Sequence, residues 1–271
     1  RPPINHEPRV STMRTLMPSL LLALAAAGAA SAAADDDDDT VYQLSTIDAL
    51  LSGLYDGVAP VGAVAAHGGF GLGTFDRLDG EMIVLDGVIY QAAFDGAVNV
   101  MPATARTPFM VVTRFDADWS LPAPAGVSYQ DWRTWLEARL PSPNLFYAVR
   151  VDGRFRDMRV RSVPRQDRKP YPPLAEVAAG QAVFDRASVD GTLLGFWCPA
   201  YAKGLNVPGF HLHFLAAERD YGGHVLDFTI AEGRVRIDTT AGWRIQLPLD
   251  PAFADADLAR DRTGALHAVE R

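Results

Sequence analysis

Gly209-Phe210-His211-Leu212-His213-Phe214-Leu215-Ala216-Ala217-Glu218-Arg219-Asp220-Tyr221-Gly222-Gly223-His224-Val225-Leu226-Asp227-Phe228 places two apolar, β-type runs around a polar turn that contains glycine. It reads as a β-hairpin, and in a strand residues two apart share a face. His211 and His213 therefore point the same way, and His224, opening the returning strand, can come level with them across the ladder. A lone histidine in a strand is ordinarily a half-buried, hydrogen-bonded side chain. Here half of the chain's six histidines fall on one hairpin, and three imidazoles converging from a rigid scaffold form the kind of ligand set that zinc prefers.

Working outward, composition sets limits on what such a hairpin can belong to. With 271 residues and 48% hydrophobic content, the chain can bury a sizeable core or two smaller ones. Its formal net charge of −8 argues against a nucleic-acid partner, and no Lys/Arg cluster with interleaved aromatics opposes that reading. A single cysteine, Cys198, excludes an intrachain disulfide and any paired-cysteine metal knuckle.

Residues 1–34 read as a leader and signal peptide, with a basic start at Met13-Arg14, an apolar run from Leu16 to Ala30 and small residues at Ala30-Ser31-Ala32 or Ala32-Ala33-Ala34 for cleavage. The twelve residues before Met13 read as upstream translation or an expression remnant. The apolar run is too short for a good transmembrane span, so the expectation is an exported protein, periplasmic or secreted, free of the membrane once the signal is removed. Residues 35–39 are five adjacent aspartates, an acidic spacer that repels itself too strongly to pack.

Beyond the spacer, Ser45 reads as the N-cap of a short helix with Ile47, Leu50, Leu51 and Leu54 as its apolar stripe. Asp79-Gly80, Asp86-Gly87 and Asp95-Gly96 are strong hairpin signals between short strands. The glycine-rich stretch Gly68 to Thr74 is not a phosphate loop, because neither the spacing nor a following helix fits. Glu81, taken alone, reads as a surface charge at a strand end. A helix is predicted over Tyr129–Leu140, capped by Ser128 with Trp132, Trp135 and Leu136 inward. Strands are predicted at Leu145–Val151 and Phe155–Val160, joined through Asp152-Gly153. Residues 162–173 form a proline-rich connection. Then come a helix at Leu174–Ala179, strands at Phe184–Val189 and Thr192–Trp197, the histidine hairpin, strands at Val235–Thr239 and Trp243–Leu247, and a helix-prone tail with Phe253, Leu258 and Val269 as packing handles.

Four ordered motifs carry a family resemblance: Gly71-Leu72-Gly73-Thr74-Phe75, Leu78-Asp79-Gly80-Glu81, Arg161-Ser162-Val163-Pro164 with Lys169-Pro170-Tyr171, and Phe210-His211-Leu212-His213-Phe214 with Gly222-Gly223-His224-Val225. From about Val41 to the C-terminus the chain resembles the alpha-acetolactate decarboxylases. The resemblance implies zinc on His211, His213 and His224, a substrate-site arginine at Arg161, active-site glutamates at Glu81 and, by spacing past the hairpin, at Glu270, and a threonine near the metal at Thr74. It implies a carboxy-lyase that converts 2-acetolactate to acetoin and CO₂ in acetoin and butanediol metabolism, needing no organic cofactor. The chemistry suits those residues: a metal acts as Lewis acid, arginine offers a fork for the departing carboxylate, and a buried glutamate can deliver a proton.

The expected fold is α/β (α+β): two subdomains, 40–161 and 174–271, on mixed and antiparallel sheets with few helices and the metal site between them. Arg161 should then lie within roughly 14 Å of a histidine on backbone dimensions. A homodimer is compatible with this plan. Two rivals remain at this point. One is a cupin-type metalloenzyme, in which Glu218 would join the His-x-His pair only through a bulge. The other is a non-enzymatic exported zinc-binding protein, which needs neither Arg161 nor Glu81.

Overall fold

Among the described residues, fifteen strands carry most of the architecture. In a computed structural model describing residues 39–270, the first eight are β1 (Thr40–Leu44), β2 (Ala59–Pro60), β3 (Phe70–Thr74), β4 (Glu81–Leu85), β5 (Val88–Ala92), β6 (Val98–Val100), β7 (Arg106–Thr107) and β8 (Phe109–Thr113). They are followed by β9 (Trp119–Pro122), β10 (Val127–Ser128), β11 (Phe146–Ser162), β12 (Ala182–Cys198), β13 (Gly209–Ala216), β14 (Gly222–Thr240) and β15 (Gly242–Gln246). Six short helices accompany them: α1 (Ile47–Leu51), α2 (Val61–Ala65), α3 (Tyr129–Glu137), α4 (Leu174–Ala178), α5 (Pro251–Ala254) and α6 (Thr263–Val269). The expected leader and signal, and the acidic spacer up to Asp38, lie outside the described residues. Among the described residues no helix is long and apolar enough to cross a membrane.

The strands form two main sheets. The first runs β15-β1-β8-β3-β4-β5-β6 and is antiparallel except for the β1–β15 pair. Its β3-β4-β5-β6 meander turns at the three Asp-Gly pairs; Asp86 and Gly87 both have positive φ, 51° and 79°, the backbone that a two-residue hairpin turn requires. The second is six-stranded, and four of its strands pair in a closed circuit: β14 with β11, β11 with β12, β12 with β13, and β13 back to β14. That last pairing, which closes the ring, joins His213 to His224. The sheets draw on both sides of the proline-rich stretch 162–173, since β9 to β14 all belong to the second sheet and β15 returns to the first.

Alternation along the strands sorts side chains into three cores. In β4, Met82 and Val84 join Tyr42, Val61 and Val112 beneath α2, while Ile83 and Leu85 face the second sheet. In β13, Phe210, Leu212 and Phe214 enter the interior of the second sheet with Trp132 and Leu136 of α3. Leu215 points the other way, into the layer between the sheets, where Leu50, Leu174 and Leu266 of three helices also pack. His211 and His213 share the Leu215 face of β13 and therefore look into the same inter-sheet space.

Three local expectations change. The pairs predicted around Asp152-Gly153, and the two strands at 184–189 and 192–197, are each one continuous strand, β11 and β12. Gly153 is registered with Gly191 on one side and Gly233 on the other, and a Cβ on Gly153 would sit 2.2 Å from the Glu232 carbonyl oxygen. There Asp-Gly serves close approach of three strands instead of a turn. The N-cap of α1 is Thr46, whose hydroxyl accepts from Ala49 N at 3.2 Å. Ser45 cannot serve, because it has φ 66° and donates its N–H to Gln246 O. Helix α3 keeps its Ser128 cap but stops at Glu137.

Candidate metal and active site

The histidine hairpin forms as the alternation requires. His213 and His224 are directly opposed across β13 and β14, and the three rings lie with centroids 5.1–5.4 Å apart. One ring nitrogen from each residue falls within 4.8 Å of the other two. His213 Nδ1 is 2.8 Å from the Met82 carbonyl oxygen; Nδ1 therefore carries the proton and donates, leaving Nε2 as a lone-pair donor. Such a hydrogen bond on the far nitrogen is the usual way of orienting a metal-ligating imidazole. His213 Nε2, His211 Nδ1 and His224 Nδ1 are all buried without a hydrogen-bond partner. Orphaned polar nitrogens are costly in a protein interior unless something binds there.

Burial also keeps these rings neutral. It lowers His213 to about 3, against the Met82 carbonyl, which favours the charged form, and with Arg161 adding to the fall. His211 and His224 are held well below the ordinary histidine range by burial, with Arg161 and their sister imidazoles contributing. Neutral imidazole is the ligand form, so the triad fits a divalent cation without first having to lose protons.

The other residues singled out in the sequence arrive from separate elements. Glu81 opens β4 opposite Thr74, the last residue of β3, and it is buried instead of lying on the surface. It shares the face of Ile83 and Leu85, which the second sheet covers. Its Oε1 accepts from Arg161 Nη1 at 2.5 Å, and its Oε2 is 3.7 Å from His213 Nε2. Arg161, near the end of β11, is registered with His224 on β14, well inside the 14 Å bound. Arg161 Nη2 also donates to Val269 O. Burial pushes the Glu81 carboxyl up against the opposing pull of Arg161.

Glu270 follows α6, whose Leu266 and Val269 pack into the inter-sheet core. That docking brings Glu270 Oε2 to 3.6 Å from His224 Nε2. Burial pushes its carboxyl up to about 7, with Glu81 adding to the rise and Arg161 and Arg133 opposing it. Thr74 donates its hydroxyl to Gly80 O at 2.7 Å, which fixes the turn that leads into Glu81. All seven of these side chains line one cavity. Its apolar wall includes Ile47, Leu50, Leu78, Phe109, Val163 and Leu174, none of them singled out as site residues from sequence; to the eye they are ordinary core positions. Glu218, the extra ligand of the cupin rival, is exposed in the turn between β13 and β14.

A family model described as alpha-acetolactate decarboxylase matches residues 41–260. The chain belongs to the alpha-acetolactate decarboxylase family. A relative of that name from Methylococcus capsulatus is 48% identical over 230 residues, covering 85% of this chain and 88% of the relative. One from Methanosarcina mazei is 46% identical over 231 residues, covering 85% and 80%. The solved alpha-acetolactate decarboxylase of Bacillus subtilis superposes with a TM-score of 0.83 at 37% identity, covering 85% of this chain and 99% of that one. Within this decarboxylase family match lie Thr74, Glu81, Arg161 and the triad, whereas Glu270 lies beyond its end.

Proposed function

We propose that this chain decarboxylates 2-acetolactate to acetoin and CO₂, with a zinc ion held by His211, His213 and His224. The observation that carries the reading is the convergence of three neutral, unpartnered imidazoles, a buried Arg–Glu pair and a second, half-buried carboxylate on one small cavity. Zinc bound there would supply Lewis-acid chemistry, polarising the ketone so that negative charge can develop as CO₂ departs.

The chain's own residues supply the rest. Arg161 offers planar guanidinium donors to the substrate carboxylate, orienting it for departure. When the bond from carboxylate carbon to the hydroxyl-bearing carbon breaks, CO₂ leaves and the electron pair stays with the substrate; one proton must then reach the carbon that lost CO₂. Glu81 and Glu270 both border the cavity, and burial pushes both carboxyls upward, Glu270 to about 7, the direction that favours proton delivery. The apolar wall keeps bulk water from the nascent carbanion and strengthens each polar contact. Thr74 shapes the substrate side of the cavity by anchoring the turn before Glu81. A non-enzymatic zinc carrier would have no use for Arg161 and Glu81 beside its metal.

The test is to incubate purified, metal-loaded protein with racemic acetolactate and assay acetoin, with and without a chelator. Acetoin should form well above the uncatalysed background and the chelator should abolish it; formation no faster than background sinks the reading. We further propose that residues 1–34 direct export, which N-terminal sequencing of protein recovered from the periplasm or medium of an expressing bacterium would test: a retained Met13 start refutes it.

A further inference from the structure

Arg133, on α3, carries a guanidinium for which no ion pair is formed among the described residues. Its Nε is buried without a hydrogen-bond partner. The guanidinium stands over the Tyr129 ring, 5.5 Å from the centroid, and that ring is itself wedged against Phe228 and Trp132. An arginine laid on a packed aromatic is held in place and keeps its charge. Its Nη2 lies 3.7 Å from where a Cβ on Gly209 would stand; Gly209 opens β13, two residues before His211, with φ +85°.

This places Arg133 beside the start of β13, two residues from His211. His213 and His224 are 1% and 2% exposed and Arg161 4%, whereas His211 is 8% exposed and the Glu270 side chain 16%. Exposure thus rises toward His211 and Glu270, and Gly209, against which Arg133 stands, is two residues from His211 on the same strand. Arg133 also lies within electrostatic reach of both Glu270 and Tyr129. The inner arginine lies deeper: Arg161 is bound through Nη1 to Glu81 and through Nη2 to Val269 O, and its Nε is left for a substrate carboxylate already inside the cavity. An anion entering past Glu270 would meet the Arg133 guanidinium, which forms no ion pair with another described residue, before it reaches Arg161.

Resting on the function proposed above, we infer that Arg133 is a specificity-determining cation at the mouth of the site, which draws in the carboxylate-bearing substrate and has no hold on the uncharged hydroxyketone left after CO₂ departs. A charge at the rim acts on encounter and binding and leaves the chemical step alone. Its effect is screened by salt, because the Debye length is about 8 Å at 0.15 M and about 3 Å at 1 M.

The test compares steady-state kinetics of the wild type, Arg133→Gln, Arg133→Lys and a control, Arg139→Gln, which removes the same charge from an exposed position of the same segment. In Arg133→Gln, KM for acetolactate should rise about tenfold at low ionic strength, within the range of electrostatic steering effects, with kcat unchanged. The gap to wild type should narrow at high salt, inhibition by added acetoin should stay the same, Arg133→Lys should recover most of the loss, and Arg139→Gln should match wild type. If the glutamine variant fails to fold, the wild type's own KM must still rise with salt, and Arg133→Lys must follow it. A salt-independent KM in wild type, an unchanged KM in folded Arg133→Gln, an equal loss for acetoin and acetolactate, or an equal loss in Arg139→Gln would each overturn the inference. A wild type that makes no acetoin would overturn the proposed function and this inference with it, whereas an active wild type indifferent to Arg133 would overturn the inference alone.

Discussion

The two faces of β13 are built from adjacent residues and obey opposite rules. On one face Phe210, Leu212 and Phe214 pack into the interior of the second sheet, where Phe214 meets Phe155 edge-on at 5.2 Å. On the other, His211 and His213 are buried as well yet leave ring nitrogens unpartnered. An apolar side chain stabilises simply by being covered, whereas a buried imidazole without a partner is tolerated only where something else repays its desolvation. The same strand therefore serves as support on one face and as a ligand platform on the other, and substitutions on the two faces should fail in different ways.

The largest expected effect lies on the ligand face. His213→Ala removes a donor whose orientation the Met82 carbonyl fixes, so both metal content and acetoin formation should be lost, while His267→Ala, at an exposed position of α6, should leave both unchanged. Elemental analysis alongside the acetoin assay checks this; a fully metal-loaded His213→Ala protein would mean that the triad is not the site. Next in size is a residue that faces the triad without belonging to it. Glu81→Gln keeps shape but removes the transferable proton, and general acid-base contributions of this kind are about 10²–10⁴-fold. Turnover should fall by that order with zinc retained, and the Glu81→Gln/Glu270→Gln double variant should be slower than either single one. Wild-type turnover in Glu81→Gln would leave Glu270 or a bound water to deliver the proton.

The support face should answer in stability. Phe214 is fully buried, and Phe→Ala substitutions in cores cost about 3–5 kcal/mol. Urea unfolding of Phe214→Ala should show a loss of that order, while the protein that remains folded still binds one metal ion. If the folded fraction cannot bind metal, the faces are coupled and the division is too sharp.

How much of this could be read from the chain follows from the range of each signal. The hairpin was legible because strand alternation is local and histidines are rare, so two residues at an i, i+2 spacing announce a face. Asp152-Gly153 was misread because the same dipeptide makes a turn at Asp86-Gly87 and a close strand crossing here; the difference lies in Gly191 and Gly233, distant in sequence. Ser45 lost the cap to Thr46 because a contact with Gln246, at the far end of the chain, fixes its backbone. Glu81 read alone as a surface charge, since nothing nearby in sequence says that the second sheet covers β4. Glu270 could be named only through the family resemblance, because its place depends on how Leu266 and Val269 dock α6. The partners supplied by Met82 O and Val269 O are backbone atoms and leave no mark in a sequence.

The smallest expected effect tests where the ligand face ends. Glu218 is five residues past His213, an odd offset that alternation sends to the opposite side, and the chain has by then left β13 for an exposed turn. A cupin-like site would need a bulge to bring its carboxylate back, but β13 pairs with β12 without interruption from Gly209 to Ala216. Exposed charges away from special features change stability by about 0.5 kcal/mol or less. Glu218→Gln should therefore match wild type in metal affinity, turnover and urea midpoint, measured by competition with a chelator, acetoin assay and unfolding. A weaker metal site in that variant would mean that the turn folds back onto the triad in solution. The ligand set would then extend beyond three histidines, and the clean separation of faces along β13 would have to be given up.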